Sequence, residues 1–147
     1  MTTRGSKSEA RAPRALTPAG LDARGRAIAL DRNFTGLRHA RELAENRWRL
    51  NPDDIDWMAA FELELLESAA TLVRRGGAIV YVVRSAAPLE GKGVVDRFVA
   101  SHRDSSIDRN LPMRKMLGDI LDADGCLATR PDRGGLGGFF AARLIRN

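Results

Sequence analysis

The stretch from Asn51 to Val83 limits this chain to an α/β fold. Asn51-Pro52-Asp53-Asp54 reads as a helix start. It offers an Asn cap, Pro at the first helical position and two acids facing the positive end of the helix dipole. Ile55, Met58, Phe61/Glu62, Leu65/Leu66, Ala69 and Leu72/Val73 then recur at helical spacing. The spacing places Arg74 and Arg75 in the last turn, with Gly76-Gly77 as the stop. Ala78 to Val83 follows as an apolar run rich in β-branched residues, which reads as a buried strand. Helix, tight glycine turn and buried strand together form one crossover half of an α/β unit. A length of 147 residues allows one domain with one core.

The remaining segments extend this pattern. Residues 1–24 hold Arg, Ser, Thr, Gly, Ala and two prolines with almost no large apolar side chain, and read as a disordered basic segment. Residues 25–147 form the expected domain. Ala27-Ile28-Ala29-Leu30 reads as a buried strand, and residues 37–46 carry a weak helical stripe at Leu37, Ala40 and Leu43/Ala44. Gly93 to Ser101 is amphipathic through Val94, Val95, Phe98 and Val99. Residues 103–112 are polar and read as a loop, and Met113 to Leu121 as a short helix. Cys126 to Thr129 and Phe139 to Ile145 read as an antiparallel C-terminal hairpin joined by a Gly-rich turn at Gly134 to Gly138.

Charge is unevenly placed. Residues 1–50 hold eleven Lys+Arg against five Asp+Glu, a net +6, whereas residues 51–147 hold thirteen against fourteen, a net −1. The first third therefore carries the whole excess, which suits either nucleic acid phosphates or a solvated tail. No apolar run reaches the roughly 18 residues of a membrane span, so no membrane partner is expected. The single cysteine, Cys126, cannot form an internal disulfide and fits a cytoplasmic location.

The residues that could carry chemistry mostly have plainer roles. His39 and His102 have no partners at metal or triad spacing and are expected to face solvent. Asp53-Asp54 cap a helix, and Asp122 and Asp124 build a turn before Gly125, so no metal site is expected. Ser85 lies in Arg-Ser-Ala and not in a nucleophile elbow. Cys126 is expected to be a small core residue, and Trp57 to lie on a helix surface or in the core. The Gly134–Gly138 run precedes a strand, which removes the phosphate-loop reading.

Three stretches resemble the Sun/Fmu (NOL/NOP/Sun) family of RNA cytosine-5 methyltransferases. Asp31-Arg32-Asn33-Phe34-Thr35-Gly36-Leu37, continuing to Arg47-Trp48-Arg49-Leu50, is similar to the family's D-A-P-C-S-G-L-G followed by R-W-R-L. Asn51 to Glu90 resembles a stretch that runs from S-P-E-D-I through L-V-R-P-G-G to G-G-x-L-V-Y-S-T-C-S-L-x-P-E-E-N. Gly137-Gly138-Phe139-Phe140-Ala141-Ala142-Arg143-Leu144 is close to D-G-F-F-A-A-R-L.

The resemblance implies the C-terminal part of a Rossmann-like methyltransferase domain, with a mostly parallel sheet and an antiparallel hairpin at its end. It implies S-adenosylmethionine as the family's cofactor and RNA as its substrate. Family chemistry attacks the base with the cysteine of T-C-S, and the cysteine of D-A-P-C-S assists release. Those positions are Arg84 and Phe34 in this chain. Arg stays protonated and Phe has no acid or base group, so no catalytic residue is assigned. Asp31 is the one cofactor contact the resemblance carries over. The chain has no Gly-rich loop between a strand and a helix near its start, so S-adenosylmethionine binding is not expected to survive intact.

RNA contact is expected from Arg32, Arg38, Arg41, Arg47, Arg49 and Arg84. Trp48 would either stack on a base or pack under the following helix. The sequence-level expectation is a truncated, diverged homologue that binds RNA and is inactive alone. Two alternatives are an interaction module docking through an exposed sheet edge and one half of a two-chain methyltransferase. Such an edge needs a protein partner or a second copy to cover it.

Overall fold

The structure is a computed structural model that describes residues 27–30, 51–110, 114–130, 132 and 137–147, with the backbone alone for 27–30. In chain order its elements are β1 (Ala27–Leu30), α1 (Pro52–Leu72), β2 (Ala78–Val83), α2 (Lys92–Ser101), β3 (Ser105–Ile107), α3 (Arg114–Leu117) with a 3-10 turn at Gly118–Ile120, β4 (Leu127–Thr129) and β5 (Phe139–Arg146). The expected 1–24 segment and 37–46 helix lie outside the described residues.

The five strands form one sheet in the order β1-β2-β5-β3, with β4 also on β5. β1 and β2 pair in parallel, from Ala27↔Ile79 to Leu30↔Val82. β2, β3 and β4 each pair antiparallel with β5. It follows that β1, β2, β3 and β4 all run one way and β5 alone is reversed. The expected mostly parallel sheet therefore holds for strand direction. It does not hold for the pairings, because β5 sits among its neighbours and makes three of the four hydrogen-bonded pairs antiparallel. β2 takes one edge of β5 through Phe140 to Ile145. The other edge is shared, β4 taking Phe139 to Ala141 and β3 taking Leu144 to Arg146.

Local chemistry accounts for the elements around the site. Asn51 caps α1, its side chain accepting from the Asp53 amide while Asp54 Oδ2 accepts from the Asn51 amide at 3.0 Å. The helix stops earlier than its spacing suggests. Val73 already has extended backbone, and Arg74 and Arg75 lie beyond the last turn. Val73 is buried, so packing turns it into the core as the first residue of the connection. Gly76 follows at φ 76°, a conformation that side chains with a Cβ rarely adopt. Arg146 closes this corner: its Nη1 donates to the carbonyls of Ala70 at 3.1 Å and Val73 at 2.7 Å, and its Nε to Asp104 Oδ2 at 3.0 Å. A cation at a helix C-terminus answers the free carbonyls and the dipole together.

One core lies between α1, α2 and a single face of the sheet. Ala59, Leu66 and Ala69 of α1 and Val94, Val95 and Phe98 of α2 meet Ile79, Tyr81 and Val83 of β2 and Phe140, Ala142 and Leu144 of β5. Removing each large apolar side chain from water stabilises the fold by roughly 1.5–3 kcal/mol. Ser105–Ile107 was expected to be loop and is a strand, because Arg146, Ile145 and Leu144 of β5 supply its register. Among the described residues no helix is long and apolar enough to cross a membrane.

Candidate functional site

Ligands of α/β sheets bind beyond the carboxyl ends of the strands. Here that edge is formed by Leu30, Val83 and Thr129, the last residues of β1, β2 and β4. Arg84 is the first residue past β2, is exposed, and forms no ion pair among the described residues. The register aligns Val83 with Phe140 and Thr129 with Phe139, so Arg84 and Arg130 leave the same edge on either side of the start of β5. Arg130 is exposed and its Nε lies 3.0 Å from Asp132 Oδ1.

The loop that carries Arg84 is held from several sides. Ser85 is buried, and its Oγ accepts from the Ala87 amide at 3.0 Å. The amides of Glu90 and Gly91 both donate to the Ala87 carbonyl, and that of Gly93 to the Pro88 carbonyl. Gly138 lies against the same loop. A Cβ there would stand 2.7 Å from the amide nitrogen and from the Cβ of Ala86, so only glycine permits this approach. Beneath the loop, Tyr81 Oη lies 2.5 Å from the Glu90 carbonyl oxygen and 3.2 Å from Glu62 Oε2. Glu62 and Glu90 are both fully buried. Tyr81, Glu62, Glu90 and Gly138 thus fix the position of Arg84, and none of them was singled out from the sequence as part of a site. The signals were a Glu inside the apolar stripe of α1 and a Tyr inside a β-branched run.

Other candidates have structural roles. Cys126 is fully buried, and its thiol is pushed up to about 12, first by burial and then by the nearby Asp122. A thiol so held is not a nucleophile at neutral pH. Asp122 Oδ1 accepts from the amides of Asp124 and Cys126 at 2.9 and 2.8 Å, which is the expected turn. Asp124 pairs with Lys92 and Arg109, each at 3.1 Å. The hydrogen bond from Lys92 and its positive charge hold the Asp124 carboxyl below the usual range. His102 is not the solvent-facing residue expected. It ends α2 half-buried, stacked on Phe98 with ring centroids 4.2 Å apart. Trp57 is 54% exposed on α1 and stacks on Phe61. Asp31, Phe34, Arg32, Arg38, Arg41, Arg47, Trp48, Arg49 and His39 lie outside the described residues.

Gly76 and Gly125, with positive φ, lead toward β2 and β4, and Gly118 sits in the 3-10 turn, so none lies between a strand end and a helix start. Among the described residues no three His, Cys, Asp or Glu side chains gather as metal ligands.

Four co-directional strands, one reversed strand and helices in the crossovers define a Rossmann-like α/β domain of methyltransferase type. Residues 21–145 match the sequence model of the family described as 16S rRNA methyltransferase RsmB/F, and the chain belongs to that family. It is 38% identical over 127 residues to ribosomal RNA small subunit methyltransferase B of Thermus thermophilus, covering 84% of this chain and 30% of that protein. The crystal structure of PH0851 superimposes with a TM-score of 0.68 at 30% identity, over 82% of this chain and 26% of that one. NSun6 from Pyrococcus horikoshii, at 19% identity and a TM-score of 0.60 over 82% of this chain and 30% of that one, shares the fold. The chain thus spans less than a third of the length of these relatives.

Proposed function

We propose that this member of the RNA methyltransferase family binds RNA without carrying out covalent cytosine methylation by itself. The observation that supports it is Arg84, exposed at the carboxyl end of β2 where the resembling family places its nucleophile. A guanidinium cannot add to carbon 6 of a cytosine, and Phe34 stands at the second cysteine position. The same guanidinium suits a phosphate or a stacked base. With Arg32, Arg38, Arg41, Arg47, Arg49 and Trp48, it would form a basic contact surface for ribosomal RNA. S-adenosylmethionine is the family's cofactor. In this reading the chain does not hold it unaided, and Asp31 alone matches a family contact.

The test is a trapping reaction of the purified chain with S-adenosylmethionine and a 16S rRNA fragment containing a mechanism-based cytosine analogue. The expected result is no adduct that survives denaturation, together with a shift of the RNA on a native gel. An adduct would return the chain to the catalytic members. A second reading, docking through a sheet edge, is favoured by β1, whose backbone pairs on one side only among the described residues.

A further inference from the structure

At the end of β2 opposite Arg84, three segments meet in one corner: the turn after α1, the entry to β3 and the last residue of β5. The Gly76 amide donates to the Arg146 carbonyl at 2.6 Å, the Arg146 amide to the Gly77 carbonyl at 2.9 Å, and the Gly77 amide to the Arg74 carbonyl at 2.9 Å. The Arg146 guanidinium reaches both sides of the corner, donating to the Val73 carbonyl at 2.7 Å and to Asp104 at 3.0 Å. One side chain therefore holds residues 73–75 beside residues 103–104.

Positive charge is concentrated there. Residues 73–77, 102–105 and 146 hold four Arg against the single acid Asp104, a net +3 with His102 neutral, inside a stretch (residues 51–147) that is net −1. Arg146 already answers Asp104. Arg74, Arg75 and Arg103 are exposed, and among the described residues Arg75 and Arg103 form no ion pair. The start of β1 adds to this end of the sheet. In the sequence Arg24 and Arg26 directly precede Ala27, and Ala27 pairs with Ile79, two residues past Gly77. The segments outside the described residues are themselves basic: residues 1–26 hold six Lys+Arg against two Asp+Glu, and residues 31–50 hold five against three. Chain of like charge is repelled from such a corner, whereas a polyphosphate is drawn to it.

We propose that Arg75 and Arg103, supported by the charge of Arg74, form a second RNA contact that grips the phosphate backbone at the amino end of β2. This contact rests on the RNA-binding reading and extends it to the opposite end of the sheet. The six residues of β2 separate the corner from Arg84 by about 20 Å. For a stacked strand rising about 3.4 Å per nucleotide, about six nucleotides lie between the two contacts. Backbone phosphates carry no sequence information, so the corner supplies affinity and register rather than base choice. Its backbone is already tied down by the hydrogen bonds of Gly76, Gly77 and Arg146, so only the side chains need ordering when RNA binds.

The full chain is titrated into a labelled 16S rRNA fragment over a series of salt concentrations, with Arg84→Glu measured alongside. Arg75→Gln combined with Arg103→Gln should bind at least fivefold more weakly at low salt. It should also reduce the slope of log K against log salt by about two, one for each lost phosphate contact. Lys at both positions should keep most of the affinity, because a phosphate accepts a point charge. Lys115→Gln, which removes an exposed cation on α3, should leave affinity and slope nearly unchanged. Each variant's circular dichroism is compared with the wild type. In the wild type, bound RNA should protect Arg75 and Arg103 from an arginine-selective reagent, which reads the contact without any substitution. A Gln pair that binds like the wild type, while Arg84→Glu weakens binding, would overturn this contact and leave RNA binding standing. Equal losses for the Gln and Lys pairs, an equal loss for Lys115→Gln, or no protection of the two arginines would also overturn it. A wild type without RNA affinity would overturn both.

Discussion

Tyr81 Oη donates to the carbonyl oxygen of Glu90 at 2.5 Å, which ties the middle of β2 to the turn that opens α2. A phenol has one proton, and Glu62 Oε2 at 3.2 Å is the more distant acceptor, so the backbone carbonyl takes the main bond. The loop from Arg84 to Gly91 is thereby closed at both ends. Arg84 is an exposed cation on a fixed mount rather than on a loose tether.

Tyr81→Phe removes that donor while keeping the ring that meets Phe140 edge-on at 6.2 Å. A buried carbonyl that loses its donor costs about 1–3 kcal/mol. Denaturant unfolding should show that loss. Amide exchange at Glu90, Gly91 and Gly93 should accelerate more than at Ile79 or Leu144. Equal acceleration throughout would mean that the hydroxyl supports the core and not the loop.

Gly138→Ala tests the approach of the β5 start to the loop. The new Cβ would meet Ala86 at 2.7 Å, and two backbone segments must separate. Overpacking of this kind costs about 1–3 kcal/mol. Thermal unfolding should fall by several degrees. Gly76→Ala, with no atom within 4 Å of its Cβ, should destabilise through its φ of 76° alone.

Arg146→Ala leaves the Ala70 and Val73 carbonyls without their shared donor and should destabilise by about 1.5–3 kcal/mol in denaturant unfolding. Arg146→Lys should recover only part, because an ammonium does not reproduce the planar fork that reaches Asp104 and both carbonyls together.

Acid should weaken the fold through two carboxyls. The hydrogen bond from Arg146 holds Asp104 below the usual range, and that from Lys92 does the same for Asp124. Both folded-state values are depressed, so the unfolded chain takes up these protons first. Their contribution is complete above the ordinary carboxylate value, near pH 4, and disappears as pH falls through the lower folded values. Asp104→Asn and Asp124→Asn should each flatten the loss of stability below that pH. Added salt should shrink the effect because both groups are exposed.

Cys126 should react with a thiol reagent only as fast as the protein opens. Its burial and its thiol at about 12 predict negligible labelling at pH 7 in native buffer and rapid labelling in denaturant. Rapid native labelling would contradict its core position.

The α1–β2 unit was legible because its ends are punctuated by short-range chemistry: Asn51-Pro52 at one end and Gly76-Gly77 before a β-branched run. The end of α1 was not, because Val73 continues the apolar stripe and only its burial shows that the backbone has turned extended. Ser105-Ser106-Ile107 carries no strand signal of its own and pairs because β5 offers a template forty residues later. At the site, resemblance located Arg84, but not what holds it. Glu62 and Tyr81 are nineteen residues apart and meet only when α1 packs on β2.

RNA binding by this chain is read out by fluorescence anisotropy of a labelled 16S rRNA fragment titrated with the full chain over a series of salt concentrations. The expected result is measurable affinity at low salt, a linear fall of log K with log salt, and several-fold weaker binding with a shallower slope for Arg84→Glu. No affinity for the RNA even at low ionic strength would contradict it.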